Sequence, residues 1–387
     1  MPRSTGRSTV LCFSAIFMFA VSGQVFPSVL SQLPGSAVEH GLLLFALFLF
    51  FPIASAGAGF VADRIGKKRM LVGGALLMSL TFLISTFVSS IGLWILAVLF
   101  LGVGSGVVEG QASAKLADLH PGSESRYLNA SQSFYSGGAV IGPFYIYALF
   151  KVFPGIRLQT AFLTVCLMNL ALVVGLLLLE EKPAARRTPT PASLTDLLRD
   201  REWRIVGLAL FIYVAEEMGT ASWLEKYARE ALGLAHPLTA VYIAVFWLGL
   251  GISRTLVGLG LLKLEGKRIL VLSVVSSILA RILAFSLRIP ALAGVGVLFL
   301  GISLGATWPT LVGLAGLRFR SSTGAAVGVV VAVGGLAAAL IQPVVGFLSA
   351  PGRLGLQPTM LLLVVFPVVN LLPLLHLTRG SNGSDSL

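Results

Sequence analysis

Charge is what this chain has least of. Of its 387 residues only 11% are Asp, Glu, Lys or Arg, against about 25% in soluble domains. That shortage excludes an ordinary water-soluble globular protein. Cysteine is almost absent as well. Only Cys12 and Cys166 occur, each inside an apolar run, so they read as small buried thiols and not as a disulfide framework. Four scattered histidines offer no ligand spacing, so no metal centre is expected. No catalytic residue set and no cofactor is expected either, and the chain does not read as an enzyme. The formal net charge of +12 does not call for nucleic acid. Membrane proteins place Lys and Arg in cytoplasmic loops, and that alone produces an excess.

What the chain has in quantity is apolar length. It is 56% hydrophobic with a mean hydropathy of +0.92. Roughly 20 apolar residues at 1.5 Å rise cross the hydrocarbon core. Twelve runs qualify, at about 10–30, 41–62, 70–88, 92–117, 127–150, 158–179, 204–224, 237–262, 268–287, 291–315, 322–349 and 357–377. The first follows Arg3 and Arg7 and is long enough to span, so it is read as an uncleaved helix. Basic residues test the count. With the N-terminus inside, 20 of the 28 Lys and Arg fall in inner segments and 6 in outer ones, while Arg254 and Arg281 lie within runs. This asymmetry supports twelve spans with both termini cytoplasmic.

Residues 180–203 break the pattern. They are polar, with Pro183, Pro189 and Pro191, and Ser193 can cap a short interfacial helix bearing Leu194, Leu197 and Leu198 on one face. The expected organisation is a six-helix bundle at 1–179, this cytoplasmic linker, and a second six-helix bundle at 204–387. The halves share a register. Gly266 and Lys267 fall 200 residues after Gly66 and Lys67, and Pro343 falls 200 after Pro143. An ungapped offset kept at separated sites suggests a duplicated half.

The turn from Gly59 to Leu71 organises the rest. Asp63 and Arg64 leave one apolar run, Gly66 allows the backbone to reverse, and Lys67, Lys68 and Arg69 open the next. This stretch resembles the loop between helices 2 and 3 of the major facilitator superfamily, with its pattern G-x-x-x-D-R-x-G-[RK]-[RK]. The second half departs from it, since Lys263 stands where the Asp would be. The resemblance implies an all-α integral membrane protein of twelve transmembrane helices in two pseudo-symmetric six-helix bundles. The substrate site of such parallel repeats lies at their interface near the midplane. Gly59, Asp63, Arg64, Gly66 and Lys67 are then the gating candidates, with the Asp63 carboxylate holding the turn against the inner end of a neighbouring span.

Several charged residues sit deep in the runs. Glu216 and Glu217 lie about 18–20 Å along a helix starting near Arg204. A charge at that depth costs at least ~2.5–3.5 kcal/mol, so it must face the bundle interior or a wet cavity. Adjacent helical residues point about 100° apart, so the two cannot face one partner. Glu216 is expected against a neighbouring helix. Arg254, about 13 Å above the inner boundary, is the counter-charge expected for a glutamate. Arg281, nearer the outer edge, is expected to snorkel outward. Glu109 is a further acid at mid-depth.

The segment Tyr213-Val214-Ala215-Glu216-Glu217-Met218-Gly219-Thr220-Ala221-Ser222-Trp223 resembles the Y-V-x-x-E-x-x-x-x-S-W of fucose-permease-like transporters, a sugar:proton symporter group within the superfamily. Leu128 to Pro143 resembles that group's L-N-x-x-[HQ]-x-[FY]-[FY]-x-x-G-x-x-x-G-P, in which Gly138 and Gly142 can serve helix packing. The group often has an acid at the position of Glu109, an Arg at Arg254 and [FW]-P-T at Trp308-Pro309-Thr310. The Asn that follows the acid is Ser113 here. The resemblance implies alternating access and proton-coupled uptake of a sugar or similar small polar solute. Glu217, Glu109, Glu216 and Arg254 are the proton-coupling candidates. The substrate-binding candidates are Gln24, Gln132, Tyr135, Tyr213, Trp223, Trp308 and Gln342, amides for hydroxyls and rings for a sugar face. The expected partners are a small-molecule substrate, protons with sodium as an alternative, and the lipid bilayer of a bacterial inner membrane, with the protein as a monomer. The residues leave two rivals open: a proton antiporter exporting amphiphilic compounds, and a non-transporting sensor or assembly protein.

Overall fold

The computed structural model of the protein describes residues 3–178, 199–258, 266–318 and 323–379. All regular structure among them is helical, and apart from a single 3-10 turn at Leu30–Gln32 it forms twelve elements. α1 is Arg3–Ser28, and α2 runs in two pieces, Ala37–Leu49 and Phe51–Ile65. α3 is Lys67–Phe87, α4 Ile91–Leu119, α5 Glu124–Val152 and α6 Leu158–Leu177. α7 is again in two pieces, Arg201–Ala221 and Leu224–Glu230. α8 is Ala240–Gly258 and α9 Gly266–Ser286. α10 comprises Pro290–Gly305 and Thr307–Arg318, α11 is Thr323–Ser349, and α12 comprises Leu356–Leu362 and Val365–Arg379.

Ten of these elements are long and apolar enough to cross a membrane, and α7 makes eleven when its two pieces are taken as one span. The exception is α5. Its 29 residues give about 43 Å at 1.5 Å per residue, so length is not lacking. The polar stretch from Asn129 to Ser136 lowers its hydropathy, and two of its residues, Gln132 and Tyr135, line the cavity described below. The side chains of Leu96, Leu167, Val174, Leu279 and Leu372 are exposed on the outside of the bundle, as a surface solvated by lipid requires.

Several helices overrun the predicted runs, because an apolar count measures only the hydrocarbon slab while the helix continues to its cap. α1 begins at Arg3, not near 10, and α4 continues to Leu119. α2 starts on a capping box, in which Ser36 accepts from the Glu39 N–H and the Glu39 carboxylate accepts from the Ser36 N–H. The reversal between α2 and α3 falls on Gly66 at φ 94°, a left-handed backbone that glycine adopts without strain. We call the end bearing this turn the inner end. The predicted interfacial helix around Ser193 and the Lys263 to Glu265 turn both lie outside the described residues.

The largest departure is in α7, predicted as one helix over 204–224. It bends by 43° between its two pieces. At the corner the chain tightens, and the Trp223 N–H donates to the Thr220 carbonyl at 3.2 Å. The Trp223 indole N–H donates to Gln342 Oε1 of α11 at 2.9 Å, and Gln342 Nε2 donates to the Met218 carbonyl at 3.3 Å. A residue of another span thus pins the corner.

The same pairings recur in both halves. α1 packs on α5 as α7 does on α11, α2 on α4 as α8 on α10, and α3 on α4 and α6 as α9 on α10 and α12. Across the halves, α2 meets α11 and α5 meets α8. One crossing fixes the repeat register. A Cβ on Gly102 or Gly106 of α4 would collide with the Leu47 or Phe51 carbonyl of α2. A Cβ on Gly301 or Gly305 of α10 would collide with the Phe246 or Leu250 carbonyl of α8. All four correspondences span 199 residues. The register of 200 read at the inner loops and at Pro143 and Pro343 therefore shortens by one residue in these spans.

Candidate functional site

A cavity lies between the two bundles, with about 920 Å³ of non-atom space, part of it continuous with solvent. Its walls come from α1, α2, α4 and α5 of one half and α7, α8, α10 and α11 of the other. The elements α3, α6, α9 and α12 contribute none of its lining residues.

On the second-half wall, Arg254 Nη2 of α8 stands 3.5 Å from Glu217 Oε1 of α7. Arg254 Nε also donates to the Gly305 carbonyl of α10 at 3.2 Å. The guanidinium is therefore anchored on one side and bonded to a carboxylate on the other. Glu109 of α4 lines the opposite wall and has no ion-pair partner among the described residues. Gln24 of α1 and Gln132 of α5 also face the cavity. Their side-chain amides make no hydrogen bond to another described residue, so they are open to a ligand. Tyr135 and Trp308 complete the predicted set that the cavity gathers.

The other candidates sit elsewhere. Tyr213 is buried one turn before Glu217, beside the Glu217–Arg254 pair and outside the cavity lining. Trp223 and Gln342 bond each other at the α7 corner, away from the cavity lining. Glu216 points away from Glu217 and bonds Arg281 Nη2 of α9 at 3.1 Å. Of the gating candidates, Gly66 makes the turn described above. Lys67 Nζ lies 2.5 Å from Asp118 Oδ2 and 3.4 Å from the Ala114 carbonyl, both of α4. Arg64 is exposed, and Gly59 has no neighbour within 4 Å of where a Cβ would stand. The Asp63 side chain lies outside the described ones.

One expectation is overturned. Arg281 does not snorkel outward but is 0% exposed. Besides Glu216 it donates to Thr220 Oγ1 at 2.9 Å and to the Met360 carbonyl of α12 at 3.0 Å, and it lies 5.7 Å over the Phe285 ring. Burying a guanidinium is tolerable where a carboxylate and acceptors meet it, and depth along the helix gave no sight of those partners. Gly138 and Gly142 pack α5 closely on α1, against Phe17 and Val21.

The sequence reading missed an aromatic lining. Phe19, Phe48, Phe51 and Trp247 face the cavity. Tyr135 meets Phe19 at 5.3 Å between ring centroids and Trp247 edge-on at 5.7 Å, so one chain of rings crosses from α1 through α5 to α8. Two signals existed. Trp247 precedes Arg254 by seven residues, two helical turns on one face. It also stands 199 residues after Phe48, just as Trp308 stands 199 after Glu109, and all four line the cavity.

Comparison with known proteins agrees with this architecture. The Major Facilitator Superfamily family model matches residues 9–342. A putative glucose/galactose transporter of Helicobacter pylori strain J99 is 24% identical over 363 residues, covering 89% of this chain and 88% of that protein. The L-fucose-proton symporter of Escherichia coli K12 is 25% identical over 274 residues, covering 60% and 62%. Among solved structures, a bacterial homologue of the human lysosomal transporter Spinster, inward-facing and unoccupied, superposes with a TM-score of 0.80 at 14% identity over 98% of each chain. The Escherichia coli fucose:proton symporter superposes with a TM-score of 0.67 at 19% identity, covering 97% of this chain and 99% of that one.

Proposed function

Because the chain belongs to the major facilitator superfamily, and is on that ground a transporter of the membrane, we propose that it carries a sugar or similar small polar solute inward together with a proton. It works by alternating access. The observation that carries this reading is the cavity itself. A carboxylate–guanidinium pair, Glu217 with Arg254, stands on one wall, and a second carboxylate, Glu109, stands on the other. Amides and aromatic rings fill the space between. Gln24 and Gln132 suit hydroxyls, while Tyr135, Trp247 and Trp308 present ring faces and edges to the C–H side of a pyranose. The names of the relatives, one a symporter of fucose with protons and one a putative glucose/galactose transporter, support the same class.

In this reading the bundles 1–179 and 204–387 rock about the cavity in a bacterial inner membrane, with both termini in the cytoplasm. Asp63 and its turn govern the inner gate. Glu217 loads and releases the proton as Arg254 approaches and withdraws, with Glu109 as the alternative carrier. Glu216 is assigned to the bundle and not to the proton path, since its partner is Arg281. Tyr213, Trp223 and Gln342 support the site from behind.

The experiment is counterflow in proteoliposomes with labelled monosaccharides, followed by accumulation under an imposed inward proton gradient. Saturable counterflow with gradient-driven uptake is expected for one or more hexoses or deoxyhexoses. A second reading is favoured by Phe48, Phe51, Val331 and Met218, which make part of the lining greasy. On that reading the substrate is amphiphilic and the proton gradient drives loss. Gradient-driven efflux of an amphiphile, without sugar counterflow, decides for it.

A further inference from the structure

The two halves touch from the outer end down to mid-depth. At the outer end Gly346 of α11 lies against the Ala37 carbonyl of α2, and Gly41 of α2 against the Gln342 carbonyl. The Phe150 ring of α5 stands edge-on to His236 at 4.7 Å. At mid-depth Gly335 meets Pro52. Towards the inner ends of the same two elements, Gly57 and Gly59 of α2 and Gly328 of α11 have no neighbour within 4 Å of a Cβ position among the described residues. The cavity is thus shut on the outer side.

At the centre of that seal is a carboxylate the transport site does not use. Glu225 opens the second piece of α7 and is 0% exposed. It accepts hydrogen bonds from the Ser31 backbone N–H at 2.7 Å, from Ser31 Oγ at 2.5 Å and from Thr239 Oγ1 at 2.9 Å. Ser31 belongs to the single turn Leu30–Gln32 that follows α1, and α1 is the counterpart of α7 in the first half. The tails of the two equivalent spans therefore meet on one charged group. Lys226, its neighbour, is engaged elsewhere, 2.6 Å from Glu230. Thr239 ties the carboxylate to the start of α8, within its own half, and both Ser31 bonds cross between halves. A residue needed only to fold the second bundle would have no reason to take two of its three donors from the first.

We propose that Glu225 is the outer latch of the transport cycle. Its hydrogen bonds to Ser31 hold the outer face shut. Their release lets the short piece of α7 swing about the Ser222–Trp223 corner and open the cavity outward. The chemistry suits a two-state contact. A buried carboxylate left without donors is costly, so the group has two good settings, dry with Ser31 and Thr239 or open and hydrated, and poor ones between. The corner lies between Glu217 and Glu225 on one element, so movement of the latch arm pulls on the piece that carries Glu217. The inference rests on the alternating-access reading, but not on the identity of the substrate or of the coupling ion.

The test reads conformation without substrate. In a Cys12→Ala/Cys166→Ala background, Ser105→Cys places a thiol on the cavity wall. A membrane-impermeant maleimide is applied to right-side-out and to inside-out vesicles. The parent is expected to label quickly from inside and slowly from outside. Adding Glu225→Ala should raise the outside rate by about tenfold, the population change that about 1.4 kcal/mol produces, and lower the inside rate. Ser31→Ala/Thr239→Val removes two of the three donors and keeps the carboxylate, so it should act in the same direction. It decides the matter if Glu225→Ala does not fold. An outside rate unchanged from the parent in a variant with an unchanged melting temperature overturns the latch. Labelling of the parent from both sides, with no effect of either variant, would leave alternating access standing and remove Glu225 from it.

Discussion

Glu216 and Glu217 are neighbours in the chain and answer to different cations. Glu216 meets Arg281 at 3.1 Å inside the second bundle, and Glu217 meets Arg254 at 3.5 Å in the cavity wall. The 100° step between adjacent helical residues sends them apart. Each pair then fixes the rotation of α7 for the other. With Glu216 held by Arg281, which also grips Thr220 and the Met360 carbonyl, Glu217 can point only into the cavity. The Glu216–Arg281 pair is expected to be a matter of stability. Removing one partner of a buried pair typically costs about 3–5 kcal/mol, whereas replacing both by apolar residues is often neutral. Glu216→Gln and Arg281→Met should each lower the melting temperature in detergent by many degrees, and Glu216→Leu/Arg281→Met should regain most of the loss. Single variants as stable as the double one would remove the pair from this role.

His236 gives the outer end a response to acid. Its ring is half-buried beside Phe150, and Gln32 Nε2 lies 2.9 Å from a ring nitrogen. Burial, aided by the charge of Arg229, pushes its pKa down to about 4 from 6.5. The folded ring therefore stays neutral where the unfolded one is charged. Between these two values the unfolded state binds the extra proton, so the contribution to stability is complete above pH 6.5 and is lost as the pH falls towards 4. Between those limits the wild-type melting temperature should fall further than that of His236→Gln. Parallel curves would show that the ring does not titrate in this window.

What could be read from the sequence divides along physical lines. The spans were legible because hydrocarbon demands apolar length, and Gly66 because its turn needs a positive φ. Glu217 and Arg254 were legible because charge within a span is costly and has to find a partner. The aromatic lining was not. With 24 Phe in the chain, a ring facing lipid and a ring facing a cavity look alike until the helix rotation is fixed. The corner of α7 was hidden because its cause, Gln342, lies 119 residues further on. Arg281 was misjudged because depth along one helix says nothing of a carboxylate 65 residues earlier in the chain.

The gate assignment of Asp63 has its own test. Lys67, four residues on, already bonds Asp118 and the Ala114 carbonyl of α4, which holds the turn to its own bundle. If the Asp63 carboxylate adds closure of the inner gate, Asp63→Asn should slow net transport strongly while substrate affinity, measured by equilibrium binding, stays near wild type. Affinity that falls in proportion to rate would place the residue in binding and not in gating.

In the proposed reading Glu217 carries the coupling proton. Its carboxylate and the Arg254 guanidinium stand at 3.5 Å, a separation at which a small movement of α7 or α8 makes or breaks the pair. On that reading the proton is taken up when substrate or helix motion separates the carboxylate from Arg254. Arg254 need not travel far, since its other bond, to the Gly305 carbonyl, keeps it on the wall. Gln at position 217 has the shape and neutrality of a permanently protonated carboxyl. Glu217→Gln should therefore abolish proton-driven accumulation in proteoliposomes and retain substrate exchange, which needs no net proton movement. Glu109, alone on the opposite wall, is the control in the same assay. If it only orients substrate, Glu109→Gln should weaken exchange and accumulation together. Wild-type accumulation in Glu217→Gln, with its selective loss in Glu109→Gln, would transfer the proton to α4 and leave the Glu217–Arg254 pair as a hinge between α7 and α8.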